Sequence, residues 1–98
     1  MGLETKLDAA ANAAASVSFT NPRYLQWIAY SYDAAPTGGK LTVKQGATTI
    51  FELDVTAAGA KFLDFARNQL AMTASATVTV TLAAGGAGVT GKLNVMAG

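Results

Sequence analysis

The chain has 98 residues with seven Lys or Arg against six Asp or Glu, and charged residues make up 13% of it, about half the ~25% usual in globular domains. That length predicts one domain around a single modest core, and a net charge of +1 lacks the basic stripe that phosphate-driven nucleic-acid binding requires. There is no Cys and no His, which excludes disulfide scaffolds, thiolate or imidazole zinc sites, Cys nucleophiles and His-based triads.

The first fifteen residues read differently from the rest. Met1 to Ala15 is Ala-rich with few large side chains. Its apolar stretch, Ala9–Ala15, is broken by Asn12 and falls far short of the ~20 residues needed to span a bilayer. Glu4 and Asp8 against a lone Lys6 do not make the positive leading region of a secretory signal. Neither a membrane span nor a cleaved leader is expected. Thr5 and Asp8 stand at capping-box spacing, which predicts a short helix through Ala9–Ala15. Leu3 and Leu7, four apart, would share a face of such a helix. Too little bulk is present for residues 1–15 to fold alone, so this arm is either loose or ordered against a neighbouring subunit.

From Val17 onward the period is two, the mark of half-buried strands. Ile28, Tyr30 and Tyr32 alternate with Trp27, Ala29 and Ser31; Leu41 and Val43 with Lys40, Thr42 and Lys44; Phe51, Leu53 and Val55 with Ile50, Glu52 and Asp54. Val78, Val80 and Leu82 alternate with Thr77, Thr79 and Thr81, and Val89, Leu93 and Val95 with Thr90, Lys92 and Asn94. Turn residues separate the runs at Asn21-Pro22, Pro36 to Gly39, Gly46, Gly59 and Gly85 to Gly88. Shorter candidates lie near Ser16–Thr20, Lys61–Phe65 and Leu70–Thr73. The expected fold is all-β, an antiparallel β-sandwich of about eight strands over residues 16–98, the jelly-roll number. If Gly46-Ala47-Thr48 forms a three-residue loop, Val43 faces Phe51, Leu41 faces Leu53 and Lys40 faces Asp54. A slip of one residue would invert every side chain.

Few groups invite chemistry. Gly86, Gly88 and Gly91 match G-x-G-x-x-G, and the same stretch misses the P-loop by one residue, with Leu93 where Ser or Thr should stand. Both motifs need a helix opening at the glycines, yet the residues that follow read as a strand, so a glycine-rich hairpin between the last two strands is expected. Glu52 and Asp54 share one strand face, about 7 Å apart by strand rise, a separation that suits a glycosidase pair. However, they face solvent opposite Lys40 and Lys44, where a cross-strand charge pair is the simpler reading. Ser16, Ser18, Ser31 and Ser75 have no histidine to activate them. No catalytic, metal-ligating or cofactor-binding residue is therefore expected.

Among the aromatics, strand parity puts Tyr24, Tyr30 and Tyr32 on one face and Trp27 on the other. Trp27 either covers an adjoining segment of its own subunit or anchors an interface. The Thr77/Thr79/Thr81 row is either a surface that lies against another protein at little desolvation cost or an ordinary solvated face.

The segments Ile28 to Leu41 and Val80 to Val95, each a strand, a Gly-rich turn and a strand, resemble those of small β-sandwich or jelly-roll structural proteins of tailed bacteriophages. The resemblance spans about Ile28 to Val95 and leaves the arm uncovered. It is strongest to capsid decoration (cement) proteins. It implies a non-enzymatic virion protein, made in the host cytoplasm and seated on the capsid surface, often as a homotrimer, with the major capsid protein and copies of itself as partners. Nucleic acid and membrane are not among the expected partners. Leu3, Leu7, Tyr24 and Trp27 are the expected interface residues. The alternative is a receptor- or carbohydrate-binding sandwich of a tail fibre, using Tyr24, Trp27 and Asp33.

Overall fold

An alternating strand is stable only when its apolar face is covered, and a sandwich covers two such faces with each other. A computed structural model describes residues 3–8, 13–20, 24–65, 70–71 and 77–97. They form nine strands: β1 (Leu3–Asp8), β2 (Ala15–Thr20), β3 (Tyr24–Tyr32), β4 (Gly39–Gln45), β5 (Thr48–Val55), β6 (Gly59–Asp64), β7 (Leu70–Ala71), β8 (Thr77–Leu82) and β9 (Gly91–Ala97). One antiparallel sheet runs β1-β9-β3-β6, with the short β7 also on β3; the other runs β2-β8-β4-β5.

The topology is that of a long hairpin rolled up. Folding the chain at the β4–β5 turn pairs β4 with β5, β3 with β6, β2 with β8 and β1 with β9. Rolling that ribbon pairs β9 with β3 and β8 with β4. Two four-stranded layers with this interleaving make a jelly roll, and β7 adds two residues to one edge.

The inner faces carry the apolar half of each alternation. Val17 and Phe19 of β2, Leu41 and Val43 of β4, and Val78, Val80 and Leu82 of β8 come from one sheet; Ile28, Tyr30 and Tyr32 of β3 and Leu93 and Val95 of β9 come from the other. No polar or charged residue is buried among the described residues. Ile50, Phe51, Leu53, Leu63 and Phe65 are only partly covered, and all five lie along the β5–β6 side.

Three expectations are refined. The β4–β5 register holds, with Val43 opposite Phe51, Leu41 opposite Leu53 and Lys40 opposite Asp54. The connection itself is a two-residue turn, Gly46-Ala47, because Gln45 pairs with Thr48 and Lys44 with Thr49. The extra residue is Ile50, absorbed as a bulge. The bulge keeps both faces in phase, so Lys40 meets Glu52 diagonally at 3.6 Å.

The glycine-rich stretch after β8 is not a hairpin, because β8 and β9 belong to different sheets. Residues 83–90 instead cross from one layer to the other. Residues 3–8, read as part of an arm, are strand β1, paired with β9 from Leu3 opposite Ala97 to Asp8 opposite Lys92. Thr5 and Asp8 therefore lie inside a strand rather than at a helix start, and Ala13 and Ala14 lead directly into β2; the remainder of the expected helix, residues 9–12, lies outside the described residues. An isolated helix this short is marginal in water, whereas the edge of β9 offers a ready row of backbone partners.

Burial pushes the phenols of Tyr30 and Tyr32 above their ordinary 10.0. At Tyr32 burial is the largest cause; a hydrogen bond with the Lys40 backbone works against it and the nearby Tyr30 adds to it. Tyr32 donates its hydroxyl to the Ala83 carbonyl at 2.6 Å. Above pH 10 the native state therefore holds phenol protons that the unfolded chain has lost, so the contribution of these two tyrosines to stability falls as pH rises through and beyond 10.

Two outcomes are expected. Leu41→Ala, at a fully buried site, lowers unfolding free energy by about 2–5 kcal/mol in urea titrations, whereas Thr42→Ala on the outer face changes it by less than about 0.5 kcal/mol. Tyr32→Phe costs about 0.5–1.5 kcal/mol near neutral pH and makes the alkaline decline shallower; urea midpoints compared below and above pH 10 read both effects.

Candidate interaction surface

The outer face of the β1-β9-β3-β6 sheet is set by a break in the alternation of β3. Leu25 and Ile28 are both buried although three apart, because Gln26 is a bulge: Leu25 pairs with Ala97 and Trp27 with Met96. Beyond the bulge, Trp27, Ala29 and Ser31 form the outer row. Register sets Met96, Asn94 and Lys92 of β9 beside them, and Asp64, Phe62 and Ala60 of β6 on the other side.

Trp27 is half-buried and leans diagonally over the small Ala29 onto Phe62, with ring centroids 5.4 Å apart and planes tilted by 33°. Phe62 is 58% exposed and is the only large apolar side chain so exposed among the described residues. Trp27 thus covers part of its own subunit, the first of the two roles open to it from sequence, and stays partly exposed beside Phe62. A shallow depression of about 250 Å³ lies beside the pair, with Ala29, Ser31, Ala60, Lys61, Lys92 and Asn94 in its wall.

The other sequence-derived candidates are not brought to this patch. Leu3 and Leu7 lie on β1 opposite Ala97 and Leu93, with β9 between them and Trp27. Tyr24 lies opposite Ala71 in β7; the Gln26 bulge interrupts the even spacing behind its expected parity, and its side chain lies outside the described residues. Asp33 is six residues from Trp27 along the chain, about 20 Å by strand rise. Its carboxylate accepts from the Thr90 N–H at 2.8 Å while its own N–H donates to the Thr90 carbonyl at 3.1 Å. Asp33 therefore ties the β3–β4 turn to the crossover and does not join Trp27 in one site. Phe62 escaped the sequence reading; its signal was a Phe at an odd phase within Lys61–Phe65, visible only once β6 is known to be an edge.

The crossover is shaped by close contacts within the chain. A Cβ on Gly85 would stand 2.6 Å from Val89 Cγ1 and 3.0 Å from the Tyr32 ring, so only glycine allows that ring to pack here. Gly86 takes φ 102° to turn the chain, and its carbonyl accepts from the Val89 N–H. The following strand, β9, leaves no helix N-terminus at the G-x-G-x-x-G residues.

On the opposite outer face, cross-strand hydroxyl pairs tie β2 to β8: Ser16 with Thr81 and Ser18 with Thr79, both at 3.1 Å. Glu52 and Asp54 are exposed there, and the Lys40–Glu52 pair in water is worth less than about 1 kcal/mol.

No protein-family model matches the sequence, and no curated protein sequence matches it. Its structure is similar to several solved ones. A capsid structure of Helicobacter pylori bacteriophage KHP30 superposes with TM-score 0.59 at 13% identity, covering 98% of this chain and 86% of that one. The C-terminal carbohydrate-binding module (CBM6) of the laminarinase LamC from Zobellia galactanivorans does so with TM-score 0.52 at 11% identity over all of both chains. The periplasmic lysozyme inhibitor PliG of Aeromonas hydrophila does so with TM-score 0.50 at 11% identity, covering 98% and 84%. At these identities the likeness is one of fold, an antiparallel jelly-roll sandwich shared by proteins of different function.

Proposed function

We propose that this chain is a non-enzymatic structural protein of a bacteriophage virion, a decoration protein that binds the outer capsid shell and reinforces it. The observation that carries the reading is the Trp27–Phe62 aromatic patch, displayed on the outer face of a sheet with Asp64, Lys61 and Lys92 around it. Large aromatic side chains partly covered before binding are the type that anchors protein interfaces. The residue types support a role in adhesion over one in chemistry: there is no His or Cys in the chain, and the carboxylates of Glu52 and Asp54 are exposed to water. The KHP30 capsid structure shows that the fold occurs in a phage shell. The major capsid protein is the partner this reading names, and the virion surface the location.

A second reading is a glycan-binding module of a tail fibre. Its support is the same patch, since an aromatic pair flanked by Asn94 and Ser31 offers a stacking surface with polar groups beside it, and the LamC module shows that the fold occurs among carbohydrate-binding modules.

The two readings part in one experiment. The full chain is mixed with undecorated shells of the phage that encodes it and, separately, passed over immobilised glycans. The expected result is co-sedimentation with shells and no retention on glycans, with Trp27→Ala weakening shell binding by about ten-fold or more, as an interface anchor does, while its melting temperature stays within a few degrees of wild type. Retention on glycans without shell binding would overturn the capsid reading in favour of the second.

A further inference from the structure

We infer that β6 is the contact through which two copies of this chain pair, edge to edge, about a two-fold axis that sets Phe62 opposite Phe62 of the second copy. This goes beyond the capsid reading and does not depend on it.

Three observations lead there. First, among the described residues β6 ends its sheet and its one strand neighbour is β3, and such an edge is a template for another strand. Second, among the described residues the sandwich is more fully closed on one side than on the other, where the Phe51–Phe65 contact joins the layers at one point. β1 and β2 approach each other at the closed side. Between β5 and β6, a cleft of about 460 Å³ is lined by Tyr30, Leu53, Val55, Lys61 and Leu63, and the partly covered apolar residues collect along this side. Third, the exposed Phe62 lies on β6 itself, in contact with Trp27.

The alternation of β6 selects the occupant and the register. Its outer row is Ala60, Phe62 and Asp64, and its inner row is Gly59, Lys61 and Leu63, as their partners on β3 require. A second copy can pair antiparallel, with like faces aligned, in three central registers. Centring on Lys61 opposes two ammonium groups, which is destabilising. Centring on Leu63 sets each Phe62 against a carboxylate, Asp64. Centring on Phe62 opposes Phe62 to Phe62, Lys61 to Leu63 and Ala60 to Asp64, with no like charges facing.

That register also joins the two patches into one aromatic row, Trp27–Phe62–Phe62–Trp27, across a continuous sheet eight strands wide. The inward-facing Lys61 discourages indiscriminate pairing at this edge and leaves the Phe62-centred arrangement as the compatible one. An isologous contact of this kind closes on itself as a dimer, whereas the resemblance to decoration proteins implied a trimer.

The test uses the absence of native cysteine. Sedimentation equilibrium of the full chain at micromolar concentration is expected to give twice the 9.9 kDa chain mass. Oxidation of Phe62→Cys should give a disulfide-linked dimer. Ala60→Cys alone should stay uncrosslinked but join Asp64→Cys when the two variants are mixed. Phe62→Glu should raise the dimer dissociation constant by about ten-fold or more while keeping the β-sheet circular dichroism of the wild type. A monomeric or trimeric mass, or equal crosslinking at Ala60→Cys and Phe62→Cys, would overturn the assignment. The crosslinking arm stands even if the Glu variant fails to fold, and loss of shell binding with the dimer intact would count against the capsid reading alone.

Discussion

The structure rests on one contact, the mutual covering of two sheet faces by rows of aliphatic and tyrosine side chains. Leu41 and Val43, with Val78, Val80 and Leu82, press against Ile28, Tyr30 and Tyr32, with Leu93 and Val95. Among the described residues, neither sheet has another apolar layer to cover it, and neither carries a buried charge or unsatisfied side chain. In a chain of this length the interior is thin, so almost every inward residue is engaged in holding the layers together. That engagement leaves the edges and outer faces as the surfaces on which another molecule could be met.

The ends of the sandwich follow from the same contact. Tyr32 lies at the end of β3, where its ring fills the space left by Gly85 and its hydroxyl reaches the Ala83 carbonyl. Asp33 immediately follows and holds Thr90 from both sides, and the Thr37 N–H donates to the Gly85 carbonyl at 2.7 Å. Four hydrogen bonds, two of them backbone to backbone, tie the end of β3 and the turn after it to the β8–β9 crossover around one aromatic ring. A glycine-rich segment that resembles a nucleotide loop in sequence is thereby occupied with its own fold.

The opposite tendency is seen at the β5–β6 side. Phe51 and Phe65 meet edge to face, with centroids 5.7 Å apart, and bridge the two layers there. Leu53 and Leu63 remain half-covered, and Phe62 projects from the outer row. Apolar surface exposed on an edge strand is uncommon in a molecule that acts alone. This asymmetry between a closed and a less covered margin, more than any single residue, is the observation on which the proposed pairing rests.

Much of this was legible as alternation. Period two in β3, β4, β5, β8 and β9 identified the inward residues, because a strand sends successive side chains to opposite faces whatever it pairs with. The β4–β5 register was readable for the same reason, although the bulge at Ile50 that preserves it was not. Trp27 could be assigned to the outer face by parity, but Phe62 beside it could not, since the two are 35 positions apart in the sequence and meet only through the β3–β6 pairing. Residues 3–8 read as an arm because they lack bulk, and only the free edge of β9 made them a strand. What the sequence determined by itself is therefore local: which residues alternate, where glycine must turn the chain, and which chemistries the missing Cys and His remove. Which strands become neighbours, which edge stays open and where an aromatic pair forms were decided by the tertiary fold, because these depend on how a rolled ribbon closes on itself, and no periodicity along the chain encodes that closure.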